Sequence, residues 1–294
     1  MNNHTKHQKG AVLLIVLLLI VVGGAAIAVR GYGGSEQGQQ RRDAYTRYAL
    51  LQAKEALIAR AVADANRPGS LPCPDLDNDG SAEMFVGNHC TFYLGRFPGK
   101  TMRLPNYRDG SGETIWYAFD PQFRDHPSAM PLTSALSGSL TITGDTPYEQ
   151  VIAVVIAPNF AFADQPRSAA TSEHVSLYLE GENNSDDHTR FRAAPLSEQT
   201  NDRVLAITHG ELMGAVTARV AADVAAVLSA QANFPLTLDS IDSSDIAYWE
   251  ANWSTAVDSY TRTTSTSATI AFVGCSILYT LVQGQKPLRS QTRC

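Results

Sequence analysis

The chain has 294 residues, of which 44% are hydrophobic, 18% charged and 8% aromatic. That ordinary globular mix excludes collagen-like, disordered and multi-span membrane classes. With 23 Lys and Arg against 29 Asp and Glu, the formal net charge is −6, a balance that argues against a dedicated nucleic-acid binder.

Residues 1–10 carry Lys6 and Lys9, no acid, and end in Gly10; residues 11–29 follow without a charge, and Arg30 closes the run. A helix of that length spans roughly 28 Å, close to a bilayer core. Three readings of this start stand side by side. One is a secretory signal peptide with Ala26, Ile27 and Ala28 as its cleavage site; another is a plain N-terminal anchor. The third is a prepilin leader, cut ahead of an apolar run that is kept.

Residues 36–65 extend the apolar run as an amphipathic helix. Leu50, Leu51, Leu57, Ile58, Ala61 and Val62 recur at helical steps, and Arg41, Arg42, Arg47, Lys54, Glu55 and Arg60 fill the other faces. Asn66, Arg67, Pro68 and Gly69 stop the helix. Residues 71–108, rich in Pro, Gly, Asp and Asn, read as an ordered loop region. Strands are expected at 113–119 (ETIWYAF), 139–143 (SLTIT) and 151–157, with shorter ones at 176–179 and 204–208. Residues 181–190 read as an exposed polar loop.

Thr208 and Glu211 have capping-box spacing, and Leu212, Val216, Val220, Val224, Val227 and Leu228 continue a helix to about residue 233. A second short helix is expected over 246–260, where Ile246, Trp249, Trp253 and Val257 share a face. A Ser/Thr tract at 263–267 reads as a linker before a β-rich tail at 269–282. Helix first, then strands with helices among them, points to an α+β class with an antiparallel sheet. The organisation expected is residues 11–66 as N-terminal helix, with 11–29 long enough to cross the membrane, and 67–294 as a globular head; on the prepilin reading residues 1–10 are the leader.

The sharpest chemical motif is Asp75, Leu76, Asp77, Asn78, Asp79, Gly80. Alternate carboxylates with a Gly at the sixth position let a tight loop wrap hard oxygen ligands around Ca²⁺. Ser81 can offer its carbonyl, and Glu83, at the ninth position, can bind directly or through water. Val86 stands where an EF-hand has its twelfth-position Glu, so any site needs another acid from elsewhere. Cys73 and Cys90 bracket this loop without zinc-ligand spacing, and Cys275 and Cys294 lie near the other end. Four cysteines allow three connectivities, of which the pairing of sequence neighbours is preferred. No G-x-S-x-G, H-E-x-x-H or P-loop is present, and His126, His174 and His188 have no partner at ligand spacing; His209 beside Glu211 can be posed as an acid–base pair, but capping already accounts for Glu211. No catalytic residue is assigned, and the chain is not read as an enzyme. Trp116, Trp249 and Trp253 are expected in the core rather than on a sugar-binding surface. Asn252, followed by Trp253 and Ser254, fits a glycosylation acceptor. Arg96, Arg103, Arg108 and Arg124 lack the regular aromatic interleaving of a nucleic-acid surface.

Lys9 and Gly10 ahead of AVLLIVLLLIVV, with the long amphipathic continuation, resemble type IV pilins and type II secretion pseudopilins. In the head, LPCPDLDNDG, GRFPGKTMRLPNYRDGSGETIWYAF and NDRVLAITHGELM look like blocks of uncharacterised pilin-like proteins of Gram-negative bacteria. The resemblance implies cleavage between Gly10 and Ala11 by a prepilin peptidase, methylation of Ala11, and an inner-membrane span bearing a periplasmic head. It implies assembly with other pilin or pseudopilin subunits into a pilus or pseudopilus, a C-terminal disulfide of Cys275 with Cys294, and a Ca²⁺ site of the kind several pseudopilins carry. One departure is Ile15, at the fifth mature position, where most members have Glu. In its length and its missing Glu the chain resembles the minor K-type pseudopilin, a tip subunit, whose head motifs it does not share. The alternative expectation is a periplasmic or secreted calcium-binding protein with an ordinary signal peptide.

Overall fold

A computed structural model describes residues 9–185, 187–290 and 294, with side chains from residue 36 onward. The chain divides into two units, Met1–Tyr45 and Thr46–Cys294. Helix α1 has the bounds Lys9–Ala63. The expected leader cut at Gly10 and Ala11, and the expected span at 11–29, concern side chains outside the described ones. In the second unit the last turns of α1 bury Thr46, Ala49, Leu50, Ala53, Leu57 and Ala61. Three of these are alanines at four- and eight-residue steps, so the helix lies close against its neighbours. Leu51, expected in that stripe, is half exposed, whereas Lys54, expected on an outer face, is buried.

Six strands form the first sheet. In chain order the early strands are β1 (Phe85–Val86), β2 (His89–Cys90), β3 (Leu94–Arg96), β4 (Trp116–Phe119), β5 (Leu140–Gly144), β6 (Tyr148–Ala157), β7 (Arg190–Ala193) and β8 (Arg203–Thr208). The first two make a separate hairpin, and the sheet runs β3-β4-β6-β5-β7 with β8 also on β6. Its pairs are antiparallel apart from β5 with β7. Residues 151–157 of β6 are all buried, because apolar cores lie on both faces, as their near-continuous apolar run requires. Val154 and Ile156 face one core, while Ala153, Val155 and Ala157 face the other. A register shift against β8 between Val151 and Ala153 turns the neighbours Ile152 and Ala153 to the same core, the local effect of a bulge.

Helix α2 (His209–Ser229) follows β8 directly, with Thr208 and Glu211 forming the expected capping box. Among the described residues α2 is the helix long and apolar enough to cross a membrane, but its apolar stripe from Leu212 to Leu228 lies in the head core. The chain then leaves helical geometry sooner than expected: residues Trp249–Trp253 form a single π turn and Ser254–Ala256 a 3-10 turn. Ile246, Trp249 and Trp253 are buried together as their spacing requires. At Val257 the β-branched and hydroxyl-rich run VDSYTRTT becomes a strand instead of continuing the helix.

A second sheet is an antiparallel meander of β9 (Val257–Thr264), β10 (Ser267–Phe272), β11 (Cys275–Val282) and β12 (Leu288–Arg289). On β10 and β11 buried residues alternate, Ala268, Ile270 and Phe272 against Cys275, Ile277, Tyr279 and Leu281. That is a half-buried sheet whose inner face meets the core around α2. The tract at 263–267 is not a linker but the hairpin joining β9 to β10, with Ser267 Oγ bonded to Thr263 and Thr264 hydroxyls at 2.9 and 2.7 Å. Two other expectations are corrected. Residues 175–177 form a 3-10 turn rather than a strand. The polar stretch from 181 holds another turn, with Asn183 buried, and it delivers Arg190 into β7. The described fold is thus α+β, with antiparallel-rich sheets and few helices.

Candidate functional site

The acidic loop is fastened at both ends by the protein's own bonds. Cys73 and Cys90 form one disulfide and Cys275 and Cys294 the other. Backbone bonds of Asp75 with Arg96, at 2.9 and 2.6 Å in the two directions, lay the start of the loop along β3. Gly95 permits this approach, since a Cβ there would stand 2.8 Å from both the Asp75 carbonyl oxygen and Pro74. At the turn, Gly80 adopts φ +86°, the left-handed region where glycine carries no penalty.

Asp75 is fully buried and accepts from the Asn78 amide at Oδ1 (2.8 Å) and from the Gly80 amide at Oδ2 (2.7 Å). Burial pushes its carboxyl up to about 6, against those two amides and with the help of the Asp77 and Asp79 charges. Glu83 Oε1 accepts from the Leu76 amide at 3.2 Å. One oxygen from each of Asp75, Asp77 and Glu83 lies within 4.8 Å of the others, the metal-capable group among the described residues. Asp79 is not in that group. Its carboxylate accepts from the Ser81 amide at 2.6 Å and faces Lys100 at 3.8 Å; the Ser81 amide holds its pKa below the ordinary carboxylate value, with Lys100 adding a smaller pull. Of the five residues named from the motif, three converge, while Asp79 and Ser81 turn toward each other. Three carboxylates supply hard oxygens suited to a divalent cation, without the ligand count that singles out Ca²⁺.

Several other residues singled out by the sequence are buried in the head or bonded within it. Trp116, Trp249 and Trp253 are each at most 2% exposed. Arg96 is buried, its guanidinium 4.4 Å from the centre of the Trp116 ring and 4.6 Å from that of Tyr178, and Arg124 is buried too, so neither adds to a basic surface. His209 Nε2 bonds the Ser134 carbonyl at 2.8 Å, and His126 Nδ1 bonds Ser128 at 2.7 Å. Asn252 is buried and accepts from the Leu132 amide, a setting closed to a glycosylating enzyme.

Glu211 joins cap and ion pair. Its Oε2 accepts from the Thr208 amide at 2.9 Å, and its Oε1 meets Lys54 Nζ at 2.5 Å. Burial works against the charged form, but Lys54 and Thr208 together hold the Glu211 carboxyl below its ordinary value. Sequence reasoning missed this pair because the partners are 157 residues apart. The residue types gave one signal, a lysine inside an apolar helical stripe. No protein-family model, curated protein or solved structure matches the chain.

Proposed function

We propose that the chain is a minor pilin- or pseudopilin-like structural subunit rather than an enzyme. It is held in the inner membrane by residues 11–29, with its head in the periplasm, and is drawn from there into a filament. The observation that carries this reading is Lys9 and Gly10 directly ahead of an uncharged apolar run, continued as a helix. Support comes from the head. Residues 46–63 of α1 bury an alanine-rich stripe in its core, so the end of that helix belongs to the head's own folding unit. Two disulfides suit an oxidising compartment. Co-expression with a prepilin peptidase tests the reading: the precursor should be cut after Gly10, and Gly10→Arg should leave it uncut. Processing that ignores Gly10→Arg would contradict it.

Within that reading the subunit caps the filament. In a repeated shaft the fifth-position Glu offsets the amine of an adjacent subunit inside an apolar bundle, and leaving that charge unpaired costs several kcal/mol. Ile15 cannot offset it, whereas a tip subunit has no amine above it to neutralise. Counting subunits in purified filaments should give very low stoichiometry, and abundance equal to the main subunit would refute tip placement.

The convergence of Asp75, Asp77 and Glu83 favours a second reading, a Ca²⁺-binding loop in the head. It fits either the pilin-like subunit or a periplasmic or secreted calcium-binding protein with an ordinary signal peptide, and the N-terminal cut separates these two.

A further inference from the structure

A cleft of about 530 Å³ is lined by Asn66 and Arg67 after α1, by Asp125, Pro127, Ala129 and Pro131, and by Ala251 and Asn252. Half of its lining residues are proline or alanine, and its single acid, Asp125, is held by Arg60 at 2.9 Å.

Arg67 is the group that normal packing leaves unexplained. It is 5% exposed, and no carboxylate stands within ion-pair distance of its guanidinium among the described residues. A guanidinium has five N–H donors. Here Nη2 reaches the Met130 carbonyl, Nη1 reaches Asn252 Oδ1 only at 3.5 Å, and the buried Nε has no acceptor. The neighbouring acids are committed: Asp64 and Asp125 both pair with Arg60. Counting Arg60, Arg67 and Arg124 against Asp64 and Asp125 leaves one positive charge in excess. Burial and the Arg124 charge hold the Arg67 pKa below its ordinary value, with Asp125 and Asp64 opposing.

Asn252 supplies a second donor. Its Oδ1 accepts from the Leu132 amide at 2.9 Å and from Arg67. The Leu132 amide bond alone sets the amide's orientation, and Nδ2 has no protein acceptor among the described residues.

We propose that this cleft binds a small monocarboxylate with a short apolar body, its carboxylate on Arg67 and Asn252. The planar guanidinium matches a carboxylate in two parallel bonds. One excess charge suits a monoanion, Asp125 disfavours a dianion such as phosphate, and the alanine and proline walls suit an apolar body. The volume lies in the range of small-ligand sites. The proposal is independent of the filament reading.

Isovalerate is the probe, titrated into the full-length protein in detergent and followed by calorimetry, with isovaleramide and inorganic phosphate as controls. Saturable isovalerate binding, at least about tenfold tighter than either control, is expected. Asn252→Asp keeps an acceptor for the Leu132 amide and places an internal carboxylate beside Arg67. It should weaken isovalerate binding by about tenfold or more while the melting temperature stays level or rises. Arg67→Gln should weaken binding likewise, and Asn252→Asp keeps the test decisive if Arg67→Gln does not fold. Equal binding of acid and amide, no saturation by about 20 mM, or undiminished binding by folded Asn252→Asp would overturn the proposal.

Discussion

Asp75 shows how much one side chain in the head depends on its setting. Its carboxyl, raised by burial from 3.8 to about 6, keeps a proton in the folded state that the unfolded chain has already released. Stability from this group is therefore highest below about pH 4 and declines as pH rises through 6. A cation held by Asp75, Asp77 and Glu83 reverses that trend, because it binds the deprotonated form. Calcium should raise the melting temperature more at pH 7 than at pH 5, with a gain of about 2.7 kcal/mol at a hundredfold excess over Kd. Asp77→Ala should remove the gain, and melting that ignores both calcium and chelator would rule out the loop as a metal site. The loop was legible in the spacing of its aspartates and Gly80. That Asp79 turns to Ser81 and Lys100 was not, since Lys100 arrives from outside the motif.

At the scale of elements, the Lys54–Glu211 pair links the end of α1 to the start of α2. Glu211 is held below its ordinary value of 4.5, so its stabilisation is complete above that pH and disappears as pH falls through the lowered value. Lys54→Met should cost about 1 kcal/mol at pH 7, a figure kept small because Glu211 is partly open to solvent. The cost should vanish in acid. Glu211→Ala, which also removes the cap, should cost about 1–2 kcal/mol. Denaturant melts at pH 7 and pH 3 check both, and a pH-independent Lys54→Met penalty would show that packing rather than charge holds the pair. The Cys73–Cys90 bridge closes a loop across 17 positions, and Cys73→Ser with Cys90→Ser should destabilise the head by about 3 kcal/mol. Strands β4, β5, β6 and β8, helix α2 and its capping box were legible because their periodicity and punctuation are local. The parallel strand β7 was not, because its pairing with β5 is set by chain some fifty residues away. Nor was the hairpin at 263–267, where a Ser/Thr tract serves a turn as well as it serves a linker.

For the whole molecule, the α+β class followed from the order of elements, and the position of the last turns of α1 in the head followed from a helical apolar stripe ending at Val62, just ahead of the stop at Asn66. How two sheets share one core around α2 was not legible, since β6, buried on both faces, reads locally like any apolar run. The central claim rests on the first thirty residues, and mass spectrometry of the N-terminal peptide of membrane-extracted protein tests it most directly. The account predicts a mature chain that begins at Ala11 and carries an N-methyl group. A chain beginning at Val29, after cleavage behind Ala28, would contradict the filament-subunit reading and place the protein with exported calcium binders.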